Sequence, residues 1–204
     1  MNDGYEDVLE AIASDSPTPG GGSVAALSLA HSYALATMVA RLTLKSDKWA
    51  EGHSISETLL VQCETGMPRA QELAVLDAES FDAVIRAFRM PRSADEEVSA
   101  REQAIAKGYL EAANVPLNTA QVSLEFMRSM FPFASVCNAN AITDLGAACY
   151  MAHTAIVIAI LNIRINIGFM LEEDSAPYEQ IISLIENEAD DLVSLTMNVI
   201  NNRM

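Results

Sequence analysis

The 204-residue sequence is short of cations: Lys and Arg number 12 against 28 Asp and Glu, a formal net charge of −16. Such a surface repels polyanions at long range, which argues against nucleic acid as a partner. Cysteines are few and odd in number, Cys63, Cys137 and Cys149, with no Cys-x-x-Cys spacing. That argues against a disulfide framework and for a reducing, cytoplasmic compartment. The opening residues, Met1-Asn2-Asp3-Gly4-Tyr5-Glu6-Asp7, lack the basic-then-apolar order of a secretory leader. Glycine (9) and proline (7) are too scarce for a collagen-like or low-complexity chain. His31, His53 and His153 stand apart from each other and from the cysteines, so no metal site is expected. Alternating runs long enough for a strand are missing, and no Asn-Gly or Asp-Gly turn joins two of them.

What the sequence has is apolar residues, 50% of the total, set at helical spacing from end to end. Helices are expected at roughly 3–13, 23–45, 54–76, 79–89, 93–134, 140–171 and 176–202, an all-α, single-domain bundle over 1–204. Ser54-Ile55-Ser56-Glu57 and Ser93-Ala94-Asp95-Glu96 match the capping-box pattern, and Ser175 with Pro177 marks the last helix start. Pro68 and Pro116 are expected to kink or interrupt their helices. In the last helix an apolar stripe runs through Tyr178, Ile181, Ile185, Leu192, Thr196 and Val199, widened by Leu184 and Leu195. The uncharged run Leu145–Leu161 falls just short of the roughly 18 residues of a bilayer span and has polar flanks. A long, buried central helix of a soluble bundle is the expectation, with no membrane partner.

Ser16-Pro17-Thr18-Pro19-Gly20-Gly21-Gly22-Ser23 is the most unusual local sequence. Proline fixes the approach, the glycines open backbone conformations closed to other residues, and Ser23 is placed to cap the next helix. Helix-start N–H groups facing an open space can seat an anion or a carbonyl oxygen. A tight connection between two close helix backbones accounts for the same residues. Neither a P-loop nor a dinucleotide fingerprint fits, for want of a following Gly-Lys-Ser/Thr or a preceding strand.

This segment, through Leu27, resembles the signature of the cyclodeaminase/cyclohydrolase family: the C-terminal domain of formiminotransferase-cyclodeaminase and the free-standing bacterial methenyltetrahydrofolate cyclohydrolases. Further blocks resemble that family in order and spacing. They are Leu42-Thr43 with Lys48-Trp49, Ala78 to Val84 followed by Met90-Pro91-Arg92, Asn138 to Gly146, and Leu161 to Asn166. The resemblance runs from about Ser14 to Asn166. The chain departs from the family pattern at Arg41, at Lys45-Ser46-Asp47 and at Cys137, each where the family usually has another residue.

The resemblance implies methenyltetrahydrofolate cyclohydrolase activity, hydrolysis of the methenyl bridge to 10-formyltetrahydrofolate. Formiminotetrahydrofolate cyclodeaminase, which releases ammonia, and a non-catalytic folate-binding protein are the alternatives. The bridge carbon is part of a cationic amidinium and already electrophilic, so hydrolysis needs water, a base, and groups that guide collapse of the adduct. This logic requires neither cofactor nor metal. Asp144 and Asp82 are the candidate acids, each amid apolar neighbours that would withdraw a carboxylate from water. Asp144 could equally cap its helix, and Asp82 could pair with Arg86 one turn on. Lys48 is the candidate donor to the departing nitrogen. Pro19, Gly20, Gly21, Gly22 and Ser23, with Asn138, Asn140, Asn162 and Asn166, are the candidate substrate-binding residues, asparagine amides suiting the edge of a pterin. Arg41, Lys45 and Lys48, and Arg86, Arg89 and Arg92, form two helically spaced cationic sets. They could attract the folate's glutamate tail or form surface ion pairs. The family forms homodimers, and Met127 and Met130 are expected on such an interface.

Overall fold

A computed structural model describes residues 4–204; Met1, Asn2 and Asp3, where the first expected helix begins, lie outside the described residues. Six helices follow in order: α1 (Tyr5–Ile12), α2 (Gly21–Leu44), α3 (His53–Phe88), α4 (Asp95–Val136), α5 (Ile142–Ile167) and α6 (Glu172–Arg203). Short 3-10 turns, Asp47–Gly52 and Ala139–Ala141, precede α3 and α5. The helices run alternately up and down. α2 packs against α3 and α5, α4 closes the square between those two, and α6 lies outside in the α4–α5 groove.

Small residues let α2 and α5 approach closely. Ala148, Ala152, Ala155 and Ala159 form a fully buried α5 stripe, and Ala25, Ala36 and Ala40 of α2 are likewise fully buried. Buried Ser32 Oγ crosses the seam to donate to the Ala148 carbonyl at 2.7 Å. Larger side chains fill the centre of the square, where the Tyr33 and Phe126 rings lie 4.1 Å apart between centroids. Truncating Phe126, which is wholly buried, would cost about 3–5 kcal/mol.

Several local expectations are corrected. Residues 54–76 and 79–89 are one continuous helix, because the chain between them keeps helical burial: Leu73, Ala74 and Ser80 all face inward. α3 starts at His53 rather than at Ser54. Its Pro68, and Pro116 in α4, sit inside unbroken helices. The box before α4 is shifted by one residue, with Glu97 accepting from the N–H groups of Ser93 and Ala94. α6 begins at Glu172, three residues before Ser175, and its buried stripe runs through Ile182, Ile185, Ala189, Thr196 and Ile200. Leu184 and Leu195 are exposed. Met127 and Met130, expected on an interface, are completely buried in the core, since α4 is enclosed by its neighbours at that level.

α3 and α4 are far longer than α2 and α5, 36 and 42 residues against 24 and 26. Their joined ends therefore project beyond the square as a helical hairpin. α2 and α5 are long and apolar enough to cross a membrane, with about half of each apolar window buried. Their outer faces stay apolar: Tyr150, Met151, Val157, Leu161 and Ile165 on α5, and Met38 on α2, are exposed.

Candidate functional site

The glycine-rich turn delivers the first turn of α2 into contact with the middle of α3. Gly20 is the N-cap, in extended conformation, so Ser23 lies inside the helix and does not cap it. Its buried hydroxyl instead donates to the Ala74 carbonyl at 2.9 Å and to Asp77 Oδ2 at 3.1 Å. None of the three glycines has a positive φ. Gly22 is required by space, because a Cβ there would collide with the Asp77 carboxylate. Absence of side chains, and not left-handed backbone, is what the turn needs here.

A cleft of about 120 Å³ opens above this junction. Its walls include Thr18, Gly20, Gly21 and Gly22 from the turn, Asp77 and Phe81 from α3, and Asn162 and Asn166 from α5. Asn162 comes within van der Waals reach of Gly21, since a Cβ on that glycine would stand 3.5 Å from its Nδ2. Both asparagines are held by backbone oxygens. Asn162 Nδ2 donates to the Ile158 carbonyl at 2.9 Å, and Asn166 Nδ2 donates to those of Ala112 at 2.9 Å and Asn162 at 2.8 Å. Asp82 stands beside the cleft, accepting from Thr18 Oγ1 at 3.1 Å; it makes no ion pair with Arg86. Pro19, joined to Thr18 by a cis peptide, supports the turn and does not line the cleft.

Asp77 is the residue that sequence reasoning missed. Burial pushes its carboxyl above the ordinary carboxylate range, and hydrogen bonds from the Ser23 side chain and backbone pull it part of the way back. The signal was present: Ala70, Leu73, Asp77, Ser80 and Val84 fall at helical i, i+3, i+4 spacing, and an acid inside a buried stripe is costly unless it is used or paired. The supposed helix break hid it.

The remaining candidates lie at the other end of the bundle, about 36 Å away along α2. There the Asn138 N–H donates to Thr43 Oγ1 at 3.0 Å, its Nδ2 to the Leu42 carbonyl at 3.2 Å, and its Oδ1 accepts from the Asn140 N–H at 2.9 Å. Asp144 sits in the first turn of α5. Exposed Lys48 holds its Nζ 4.7 Å from the centre of the Trp49 ring. Arg203, from the last turn of α6, has its guanidinium 5.9 Å from that ring and donates to the Cys137 carbonyl at 2.7 Å. Within one protomer the glycine turn and the Asn138–Asp144 stretch therefore share no cleft. The histidines make local contacts: His153 meets Asp190 at 2.7 Å, His53, at this far end, meets the Ser46 carbonyl, and His31 that of Leu27. Among the described residues no three His, Cys, Asp or Glu side chains cluster as metal ligands do.

The formiminotransferase-cyclodeaminase family matches residues 4–182. The chain belongs to that family. Over 165 residues it is 34% identical to a methenyltetrahydrofolate cyclohydrolase of Methylorubrum extorquens, covering 81% of this chain and 79% of the relative. The formimidoyltransferase-cyclodeaminase of Mus musculus is 28% identical over 81% of this chain, which spans only 30% of that longer protein. The crystal structure of a formiminotetrahydrofolate cyclodeaminase from Thermotoga maritima superimposes with a TM-score of 0.85, covering 97% of this chain and 95% of that one at 23% identity. This family member thus has the family's helical fold over nearly its whole length.

Proposed function

We propose that the protein is a methenyltetrahydrofolate cyclohydrolase, acting in the cytoplasm as a homodimer. The observation that carries the reading is the Asp77 carboxyl, made more basic by burial and facing the glycine-turn cleft beside Asn162 and Asn166. In this reading the asparagine amides and the α2 N-terminus take the polar edge of a reduced pterin. Asp77 accepts a proton from water as its oxygen bonds to the amidinium carbon. The adduct then collapses: one carbon–nitrogen bond breaks, the freed nitrogen takes a proton, the hydroxyl becomes the formyl oxygen, and one net proton is released. Asp82 helps set the turn through Thr18.

The size and place of the parts support a second copy. A cleft of about 120 Å³ falls short of the roughly 300–1,000 Å³ of pockets that enclose a small-molecule ligand. A two-fold axis perpendicular to α2 would bury the outer apolar face of α2 and α5 against itself. It would also set the glycine turn of one protomer opposite the partner's opposite end. Lys48, Asn138, Asn140 and Asp144 would then complete the site, with Lys48 donating to the departing nitrogen. Cyclodeaminase activity is the second reading, supported by the relatives that carry that name and by the same requirement for a bridge-carbon site.

Loss of the methenyl chromophore, followed for wild type and Asp77→Asn, tests the proposal. Wild type should exceed the buffer rate, and the variant should lose on the order of 100-fold or more in kcat. A wild-type rate equal to buffer, with ammonia released from the formimino substrate, would transfer the assignment to the cyclodeaminase.

A further inference from the structure

Arg203 is the last residue of α6 and lies beyond residues 4–182, the stretch that the family matches. In a chain with 28 acids its guanidinium forms no ion pair among the described residues. Its donors go to the end of α4 instead. Nη1 donates to the Ala134 carbonyl and points at Cys137 Sγ from 3.4 Å, and Nη2 donates to the Cys137 carbonyl at 2.7 Å. Ala134 belongs to the last turn of α4 and Cys137 is its C-cap, where a helix leaves carbonyls without partners of their own. A planar cation with several fixed donors is suited to closing such an end.

The same end of α4 backs the turn that carries Lys48. Gly52 closes the 3-10 turn Asp47–Gly52 against the Val136 carbonyl, so tightly that a Cβ there would stand 2.6 Å from the oxygen. Within that turn Trp49 departs from helical backbone, with φ −111° and ψ 25°. Two cations meet its ring: the Lys48 ammonium at 4.7 Å from the ring centre and the Arg203 guanidinium at 5.9 Å. Lys48 forms no ion pair among the described residues, which leaves the ring as the contact that orients its ammonium. Asn138, by contrast, has other holds: Thr43 Oγ1, the Leu42 carbonyl and the Asn140 N–H. Loss of Arg203 therefore falls on the Trp49 turn more than on Asn138.

We infer that Arg203 is a positioning residue: tied to the end of α4, it sets the Trp49 ring, and through that ring the place from which Lys48 acts. α6 supplies no residue to the cleft, yet its last side chain enters the chemistry in this way. The inference rests on the folate reading for the role of Lys48 as donor to the departing nitrogen. The setting of the Trp49 turn by Arg203 does not depend on that reading.

Trp49 is the single tryptophan, so its fluorescence reports the turn without any turnover. Arg203→Met removes the guanidinium and keeps the stem, while Arg128→Met, the control, removes a different tie between α4 and α6. Arg203→Met should move the emission maximum and raise quenching by acrylamide; Arg128→Met should do neither. With the methenyl substrate, Arg203→Met should lose about ten-fold in kcat with KM within about two-fold of wild type. In the Lys48→Ala protein the same substitution should cost less than about two-fold more, because the residue it positions is gone. Arg203→Lys keeps the charge without the planar fork and should fall between; it takes the place of Arg203→Met if that variant does not fold. Unchanged Trp49 emission, or the full loss in kcat repeated in the Lys48→Ala protein, would overturn the positioning role. A wild type that turns over neither the methenyl nor the formimino substrate would discard the folate reading. Trp49 emission then decides alone, a shift in Arg203→Met keeping Arg203 as the residue that sets the turn and no shift overturning it.

Discussion

The two ends of the bundle carry similar polar residues and differ in how far water reaches them. At the cleft end Asp77 is wedged against the first turn of α2, and buried Asn166 is held by two backbone oxygens. At the far end Lys48 and Asn140 are exposed, and Asn138 serves the turn before α5. Burial at the first end raises the basicity of a carboxyl and fixes the asparagines. Exposure at the second leaves cations and amides facing outward, where another molecule can use them. Under the proposed reading, a base at one end and outward-facing donors at the other would be the two parts of a hydrolytic site, about 36 Å apart in one chain.

The largest effect should come from the prepared end. Asp77→Asn is nearly isosteric, so the fold should survive while kcat falls on the order of 100-fold or more, measured by chromophore loss. A value near wild type would move the base to another carboxylate. Next, Val157→Asp with Leu161→Asp puts charge on the outer face of α5. Light scattering should then report a monomer, with kcat/KM falling by at least about ten-fold because the two ends part. An active monomer would show that one protomer's cleft suffices. Gly22→Ala forces a methyl against Asp77, and denaturant unfolding should show a loss of about 1–3 kcal/mol.

The smallest effect is the pH dependence of stability. Asp77 binds its proton more tightly folded than unfolded, so its contribution favours the native state below the ordinary carboxylate pKa. That contribution is lost as pH rises from the unfolded value through the raised folded value. Asp77→Asn should flatten this limb of the stability profile, and an identical profile in the variant would contradict the burial of a titrating acid.

Much of this comparison was legible in the sequence. Apolar periodicity located the long helices, and the glycine turn and the Asn162/Asn166 pair, far apart in the chain, meet in one cleft. Asp77 was not legible, because a helix break supposed at 77–78 took it off the face it shares with Leu73 and Ser80. Periodicity alone also misassigned Met127 and Met130, since a methionine stripe reads the same toward a core or a partner. In α6 the choice between Ile181 and Ile182, or Leu184 and Ile185, is set by a rotation of about 100° per residue that only packing resolves. The separation of Asn138 and Asp144 from the glycine turn was invisible for a different reason. Motif order says which residues serve one reaction and nothing about whether one chain supplies them all.

Subunit mixing tests the shared site most directly. Asp77→Asn and Lys48→Ala damage opposite ends, so each homodimer should be impaired at both of its sites. After unfolding and refolding together in equal amounts, half of the dimers are mixed, and each mixed dimer regains one undamaged site. Activity should recover to about a quarter of the wild-type value, well above either variant alone. A mixture no more active than the mean of the two separate variants, with subunit exchange verified, would contradict a site built across two protomers.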